Sequence, residues 1–300
     1  MARVSTPPPD ISVIIASRNR AGSLRRLIPT LLSLSPQLRW ELVVADNGST
    51  DDTAAVLGGF GPRVRAVHEP RAGKSRALNR AMAAARGELL VFTDDDVEPH
   101  PAWLDELAAA ARRHPDADCF GGRIRIEEAG VPRWVLRSRL RQLLTSAHDY
   151  GDSEGPYPPN RLPIGPNMAV RRRAVRLEEP WPVDLGPGSP IPIGDETAFL
   201  YGLGLRSAQV IYVPTAEVRH QPEPSYFAMR FALRRAYLAG YSAGFANARY
   251  RAQAAPELIG TPVWQKIAGT ASWREFCCSA IRLIGYLVGF GRERAKSGGH

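Results

Sequence analysis

Apolar residues fall into two rhythms along this chain. Residues 11–16, 40–45, 64–68 and 88–93 are short runs rich in β-branched and other apolar side chains, the pattern of strands buried on both faces of a parallel sheet. Between them the spacing changes to threes and fours. Leu24, Leu27, Ile28, Leu31 and Leu32 share one side of a helix expected over residues 23–34, and further helices are expected from near Asp51, over 75–85 and over 101–113. Three strand-then-helix units in the first hundred residues predict a doubly wound α/β sheet with right-handed crossovers.

The pattern then loosens. Residues 118–126 read as a strand, 135–144 as a basic helix and 149–159 as a polar loop, while 161–171 lead into another short strand. Residues 184–194 hold too much Gly and Pro for a core element, and within them 184–192 are expected to act as a mobile flap that orders when a ligand binds. A helix opens at residues 194–197, and 208–213 read as a late strand. The remainder is helical. Residues 225–247 are basic on one side and rich in Tyr and Phe, and 273–291 place Trp273, Phe276, Cys277, Ala280, Ile281, Ile284, Leu287 and Val288 on one face.

Composition narrows the setting. The 300 residues are 44% hydrophobic, enough for a full core. The net charge of +9 points to an anionic partner: a phosphate-bearing small molecule, an anionic membrane surface or nucleic acid. Basic residues interleaved with aromatics occur only over 230–251, so nucleic acid is not the expected partner. Cys119 stands alone and Cys277 and Cys278 are adjacent on one helix, a poor disulfide geometry with no metal-type spacing, so a reducing compartment is expected. Residues 1–10 carry a Pro-rich, disordered-looking arm without the apolar core of a signal peptide. No run reaches the ~18 apolar residues of a spanning helix. A cytoplasmic protein is expected, and basic residues around the apolar face of 273–291 would suit peripheral contact with an anionic inner membrane face.

The chemistry concentrates where the strand at 88–93 runs into Asp94, Asp95 and Asp96. Carboxylates clustered at the carboxyl end of a buried strand suit a hard divalent cation, and ligands of open α/β sheets bind in the crevice beyond those strand ends. Asp46 and Asn47 close the second strand in the same way. Gly73 and Lys74 lie in a basic loop that enters the third helix, and Asp195 and Glu196 open a later one. Read alone, each of these groups could be an ordinary turn or helix-start residue.

Six motifs occur together and in order: residues 11–19, Ala45 through Asp51, Gly73 through Gly87, Thr93 through Asp96, Gly165 through Met168, and Gly194 through Thr197. Over residues 10–220 the chain resembles family 2 glycosyltransferases, inverting nucleotide-sugar enzymes of the GT-A fold. The resemblance implies a Rossmann-type mixed sheet flanked by helices over 11–222, with a helical C-terminal extension over 223–300. It implies that Ala16, Ser17, Arg18, Asp46 and Asn47 hold the nucleobase and ribose, and that Gly73 and Lys74 line the nucleotide. Asp94 and Asp96 match an Asp-x-Asp motif around Asp95, with Asp96 on Mn2+ or Mg2+, Asp94 on the ribose or the metal, and Asp95 also on the nucleotide-sugar. Asn167 would face the donor sugar, and His220 would be a further metal ligand. The Gly194-Asp195-Glu196 segment matches a Gly-Glu-Asp motif with its acids reversed. That places Glu196 at the catalytic-base position and leaves Asp195 as the alternative.

These roles describe a metal that neutralises charge on a leaving diphosphate and a carboxylate that takes a proton from a hydroxyl acceptor. The expected donor is a nucleotide-diphosphate sugar, with UDP the family's commonest nucleotide. The acceptor is a glycan, a lipid-linked saccharide or a small molecule, and the oligomeric state is open. Two other classes fit less. A sugar-phosphate nucleotidyltransferase would carry a Gly-rich loop after the first strand, whereas residues 17–22 hold a single Gly. A polyanion binder would leave the carboxylate clusters without a purpose.

Overall fold

The computed structural model describes residues 9–34, 36–159, 161–176, 178, 180–205, 209–250 and 272–297. The expected disordered arm lies, apart from residues 9 and 10, outside the described residues. Four strands run parallel: β1 (Ile11–Ser17), β2 (Trp40–Asp46), β3 (Arg65–His68) and β4 (Leu89–Phe92). Their order in space is β3-β2-β1-β4, connected through helices α1 (Ala21–Ser33), α2 (Thr53–Gly59) and α3 (Lys74–Ala84). The sheet then becomes mixed. Strand β8 (Met168–Arg171) joins β4 antiparallel, and β6 (Cys119–Ile126), β9 (Val210–His220) and the short β5 (Val97–Pro99) follow in that order. A two-residue strand, β7 (Gly155–Pro156), pairs with β9. The expected mixed α/β sheet with helices at its C-terminal side is what the chain forms.

Successive strand residues point to opposite faces, and the core divides accordingly. On one face Val13, Ile15, Leu42, Val44 and Val91 pack with Leu24, Ile28 and Leu31 of α1 and with Trp103 and Leu107 of α4 (Trp103–Arg113). On the other, Ile14, Val43, Leu90 and Phe92 pack with Ala77, Leu78 and Ala81 of α3 and with Trp181 and Phe199. Trp181 and Phe199 stack face to face with ring centroids 4.2 Å apart.

Two elements differ from expectation. The helix expected over 135–144 is broken into α5 (Arg133–Leu136) and α6 (Arg141–Thr145). Between them Ser138 Oγ accepts from Leu140 N, and the Arg139 backbone N–H donates to Glu275 Oε1, a residue far along the sequence. The late strand runs seven residues further than residue 213. Ala216, Val218 and His220 face inward while Thr215 and Arg219 are exposed, an alternation the sequence displays but Pro214 disguises.

The chain ends in α7 (Asp195–Gly202), α8 (Met229–Tyr250) and α9 (Trp273–Ser297). Helices α8 and α9 meet backbone to backbone. A methyl group at Gly240 would run into the carbonyl of Arg282, at Gly244 into that of Tyr286, at Gly285 into that of Tyr237 and at Gly289 into that of Tyr241. Each helix thus contributes two glycines four residues apart, the small-residue seam that lets helix axes approach closely. Gly285→Ala is expected to destabilise the protein by about 1–3 kcal/mol, the cost of overpacking a seam whose neighbours are backbone atoms. Gly291→Ala, with nothing within 4 Å of its added carbon, should instead stabilise by up to ~1 kcal/mol through helix propensity. Urea denaturation of the two variants checks both signs.

Candidate active site

The register of the far sheet edge builds the first part of the site. Strand β5 begins one residue after Asp96 and pairs antiparallel with the end of β9, with Val97 opposite His220. That pairing brings the imidazole Nε2 of His220 to 3.6 Å from Asp96 Oδ1, beyond hydrogen-bonding distance. Asp96 Oδ1 and His220 Nδ1 are buried without a hydrogen-bond partner. Burial pushes the Asp96 carboxyl up, but His220, Lys74 and Arg20 together pull it below the ordinary range. A buried carboxylate oxygen with no donor, beside an imidazole nitrogen, is a donor set that suits Mn2+ or Mg2+. Among the described residues no group of three or more His, Cys, Asp or Glu side chains could hold a metal. Two protein ligands leave coordination positions for phosphate oxygens, as magnesium-type sites require.

The other two carboxylates of the triplet are engaged differently. Asp94 Oδ1 receives the Lys74 ammonium at 2.5 Å. Burial alone would lower the Lys74 pKa, but Asp94, Glu196 and Asp195 outweigh it and raise it, so Lys74 stays charged between the two acidic clusters. Asp95 Oδ2 accepts from Ser17 Oγ at 2.5 Å, and Arg20 lies 3.9 Å from its other oxygen. Burial pushes the Asp95 carboxyl up to about 6, with Asp96 and Asp94 adding to the rise and Ser17 and Arg20 opposing it.

The in-register pairing of Ser17 with Asp46 and of Asp46 with His68 brings the ends of β1, β2 and β3 level. Asp46 is buried, accepts from the Ser49 backbone N–H at 3.0 Å and lies 3.5 Å from His68 Nδ1. Ala16 is half-buried and Arg18 is exposed at the same edge. Asn47 does different work from the expected ligand contact. Its amide donates to the carbonyls of Glu69 and Arg71 at 3.2 and 2.7 Å and accepts from Gly73 N at 2.9 Å. Its side chain therefore holds the β3–α3 loop, where Gly73 adopts φ 134° ahead of Lys74.

The second acidic cluster comes in on α7. Glu196 is half-buried, and a methyl group at Gly165 would meet its Oε1 at 2.7 Å. Gly165 is held near β4 because Thr93 Oγ1 donates to the Pro166 carbonyl at 2.9 Å. Asp195 is only 2% exposed and its Oδ2 has no partner. Burial, reinforced by the Glu196 charge and opposed by Lys74, pushes its pKa up to about 8. A side chain at Gly194 would collide with Ser242 of α8, so α8 directly braces the helix that carries both acids.

Two expectations need correction. Asn167 does not face the crevice. It is 1% exposed, accepts from Trp103 Nε1 at 2.9 Å and donates to the carbonyls of Arg123 and Ala216 at 2.9 and 2.8 Å, which uses its whole amide inside the core. Nor is the segment over 184–192 a loose flap. Ser75 Oγ donates to the Leu185 carbonyl and Lys74 N to the Pro187 carbonyl, both at 2.8 Å, and Arg249 of α8 pairs with Asp184 at 2.6 Å. Leu185 and Ile191 are buried with Tyr241 and Phe245 of α8.

The residues that fasten this segment carry only a faint mark in the sequence. Asn79 bonds both the N–H and the carbonyl of Trp181 at 2.9 Å, and Ser75 is fully buried. A buried polar residue on the apolar side of a helix was the available signal, because such a group needs a partner across the interface. Arg20, which approaches both Asp95 and Glu223, had no distinguishing mark among the neighbouring arginines.

The family model described as Glycosyl transferase family 2 matches residues 12–176, more than half of the chain. Among curated proteins, a glucosyl-3-phosphoglycerate synthase of Mycolicibacterium paratuberculosis is 38% identical over 104 residues, 32% of this chain and 32% of that protein. The chain thus spans about a third of that relative's length. Among solved structures, the mannosyltransferase PcManGT from Pyrobaculum calidifontis, in complex with GDP-Man and Mn2+, matches with a TM-score of 0.60 and 21% identity over 98% of this chain and 80% of that one. The glucosyl-3-phosphoglycerate synthase of Mycobacterium tuberculosis, in complex with Mn2+, UDP-glucose and phosphoglyceric acid, matches with a TM-score of 0.51 and 22% identity over 77% of this chain and 78% of that one. At these identities the structural matches speak for a shared fold.

Proposed function

The chain belongs to glycosyl transferase family 2, and from that premise we propose that it moves a sugar from a nucleotide-diphosphate donor to a hydroxyl acceptor with inversion at the anomeric carbon. The observation that carries the reading is the position of Lys74. One partly buried ammonium bonds Asp94 of the metal-type cluster, and the acids of α7 add to the rise in its pKa, which supports a single crevice for the two acidic clusters. Residues 11–222 form the catalytic unit in this reading. Helices α8 and α9 extend it, with α8 supplying part of its wall through Ser242, Tyr241, Phe245 and Arg249.

Asp96 and His220 would hold Mn2+ or Mg2+, with Asp94 beside them. The bound cation would offset the charge that grows on the leaving diphosphate. Ala16, Ser17, Arg18 and Asp46, at or just beyond the carboxyl ends of β1 and β2, would take the base and ribose. Asn47 contributes by fixing the Gly73–Lys74 loop, and Asp95 is held by Ser17 and Arg20. Glu196, the more accessible acid of α7, takes the proton of the acceptor hydroxyl as that oxygen bonds to the anomeric carbon. The bond from that carbon to the diphosphate oxygen breaks, and its electron pair leaves with the nucleotide. One displacement with a free base on the acceptor side gives inversion.

UDP is the proposed nucleotide. The fold relatives were solved with GDP-Man in one case and with UDP-glucose in the other, so both nucleotides enter the test. Titration calorimetry of UDP and of GDP, each with Mn2+ and with chelator, should show micromolar binding of UDP that weakens at least about tenfold with chelator, the share expected of a cation bridging protein and diphosphate. Tighter binding of GDP would change the donor class. Failure of both nucleotides to bind would overturn the transferase reading.

A further inference from the structure

The described large hydrophobic side chains that stand exposed all belong to one helix. Trp273 is 66% exposed, Phe276 52%, Ile284 52%, Leu287 61% and Val288 45%. They occupy positions i, i+3, i+11, i+14 and i+15 of α9, one side of a 3.6-residue helix. The opposite side of α9 is the glycine seam against α8, where Gly285 and Gly289 press on backbone carbonyls. This apolar stripe is therefore displayed by a helix clamped along its back.

The charges around the stripe are one-signed. Arg292 and Arg294 are exposed at the end of the helix, and Arg274 lies beside Trp273 with its guanidinium 5.4 Å from that ring. The two acids of α9 are turned inward: Glu275 is 1% exposed and Glu293 8%. An apolar face bordered by arginines, with its carboxylates buried, matches an interface of apolar chains beneath anionic headgroups. A second copy is the poorer occupant. Two such stripes packed antiparallel would bring Arg274 of one near Arg292 and Arg294 of the other, and like charges across an interface oppose association. No described helix is long and apolar enough to cross a membrane, so the contact would lie on the surface.

We propose that α9 docks the protein onto an anionic phospholipid surface, its apolar stripe among the acyl chains and its arginines at the headgroups. The stripe lies outside the proposed catalytic residues, so the proposal stands or falls independently of the donor assignment. Because α8 braces both α9 and the start of α7, docking would hold the acceptor side of the crevice at a fixed position relative to the lipid.

The test is vesicle flotation of the full chain with phosphatidylcholine alone and with 30% phosphatidylglycerol added, at low and at 0.5 M salt. Binding is expected to the anionic vesicles, to be about tenfold or more weaker for the neutral ones, and to fall with salt. The double variant Ile284→Glu with Leu287→Glu should abolish flotation, and Arg292→Glu with Arg294→Glu should weaken it about tenfold or more. All these side chains are exposed, so melting temperature and nucleotide binding should match the parent and show that the variants fold. Absence of flotation with anionic vesicles, or flotation unchanged by the apolar double variant, would overturn the proposal. So would a stable dimer in light scattering that the apolar double variant dissociates while vesicles bind neither form.

Discussion

Asp96→Ala is expected to lower transfer kcat/KM about a thousandfold and to remove the difference between nucleotide binding with Mn2+ and with chelator. The size follows from the work assigned to this carboxylate: a cation that offsets charge on a departing diphosphate is worth several kcal/mol, and about 4 kcal/mol corresponds to three powers of ten in rate. The location follows from the β5–β9 register, which sets Val97 opposite His220 and leaves Asp96 Oδ1 buried with no donor. Asp95→Asn should cost much less, because that carboxyl is already tied to Ser17. His220→Gln should fall between them, with activity partly restored by raised Mn2+. Initial rates across a Mn2+ titration, with melting temperature as the folding control, decide the matter. An Asp96→Ala enzyme with undiminished, metal-dependent transfer would remove Asp96 from the metal site and leave its orphaned oxygen without a role.

The parts of this molecule that were legible in its sequence share a property: their signal is local. The β-branched runs ending in Asp46 and in the triplet Asp94 to Asp96 announce both strand and strand end within a few residues. What escaped depends on partners far along the chain. Asn167 carries the same amide whether it faces a sugar or, as here, spans Trp103, Arg123 and Ala216, and nothing in its neighbours says which. The break between α5 and α6 is fixed by Glu275. Gly240, Gly244, Gly285 and Gly289 look like helix-weakening residues until the two helices are seen to meet at them. The Gly- and Pro-rich composition over 184–194 marked irregular backbone correctly but not its anchoring, because Ser75, Asn79 and Arg249 reach it from other elements. The apolar face of α9 was visible as periodicity. Which half of the helix is covered was not, since both Cys278 on the inside and Ile284 on the outside are apolar.

The two acids at the start of α7 should separate by both rate and pH. Glu196→Gln is expected to lower kcat by about 10²–10⁴, the range for loss of a general base, while nucleotide binding is unchanged. Asp195→Asn should cost less than about tenfold, because burial holds the Asp195 pKa near 8, so the residue is already largely neutral at pH 7 and asparagine resembles that form. Its pKa in the unfolded chain is about 3.9. The folded protein therefore binds more protons than the unfolded chain between these values. Stability from this group is fully present below the lower value and is lost as pH rises through the higher one. Asp195→Asn removes that term, so its melting temperature should fall less than the parent's between pH 5 and pH 9. Rates at pH 7 for both variants, with melting curves over the same pH span, read out the two roles together. A thousandfold loss in Asp195→Asn beside an active Glu196→Gln would move the base to Asp195. A buried acid that is protonated near neutrality would then need Lys74 to draw its pKa down once substrate fills the crevice, so the base limb would stand near 8 in the kcat/KM profile, which reports the free enzyme, and lower in the kcat profile.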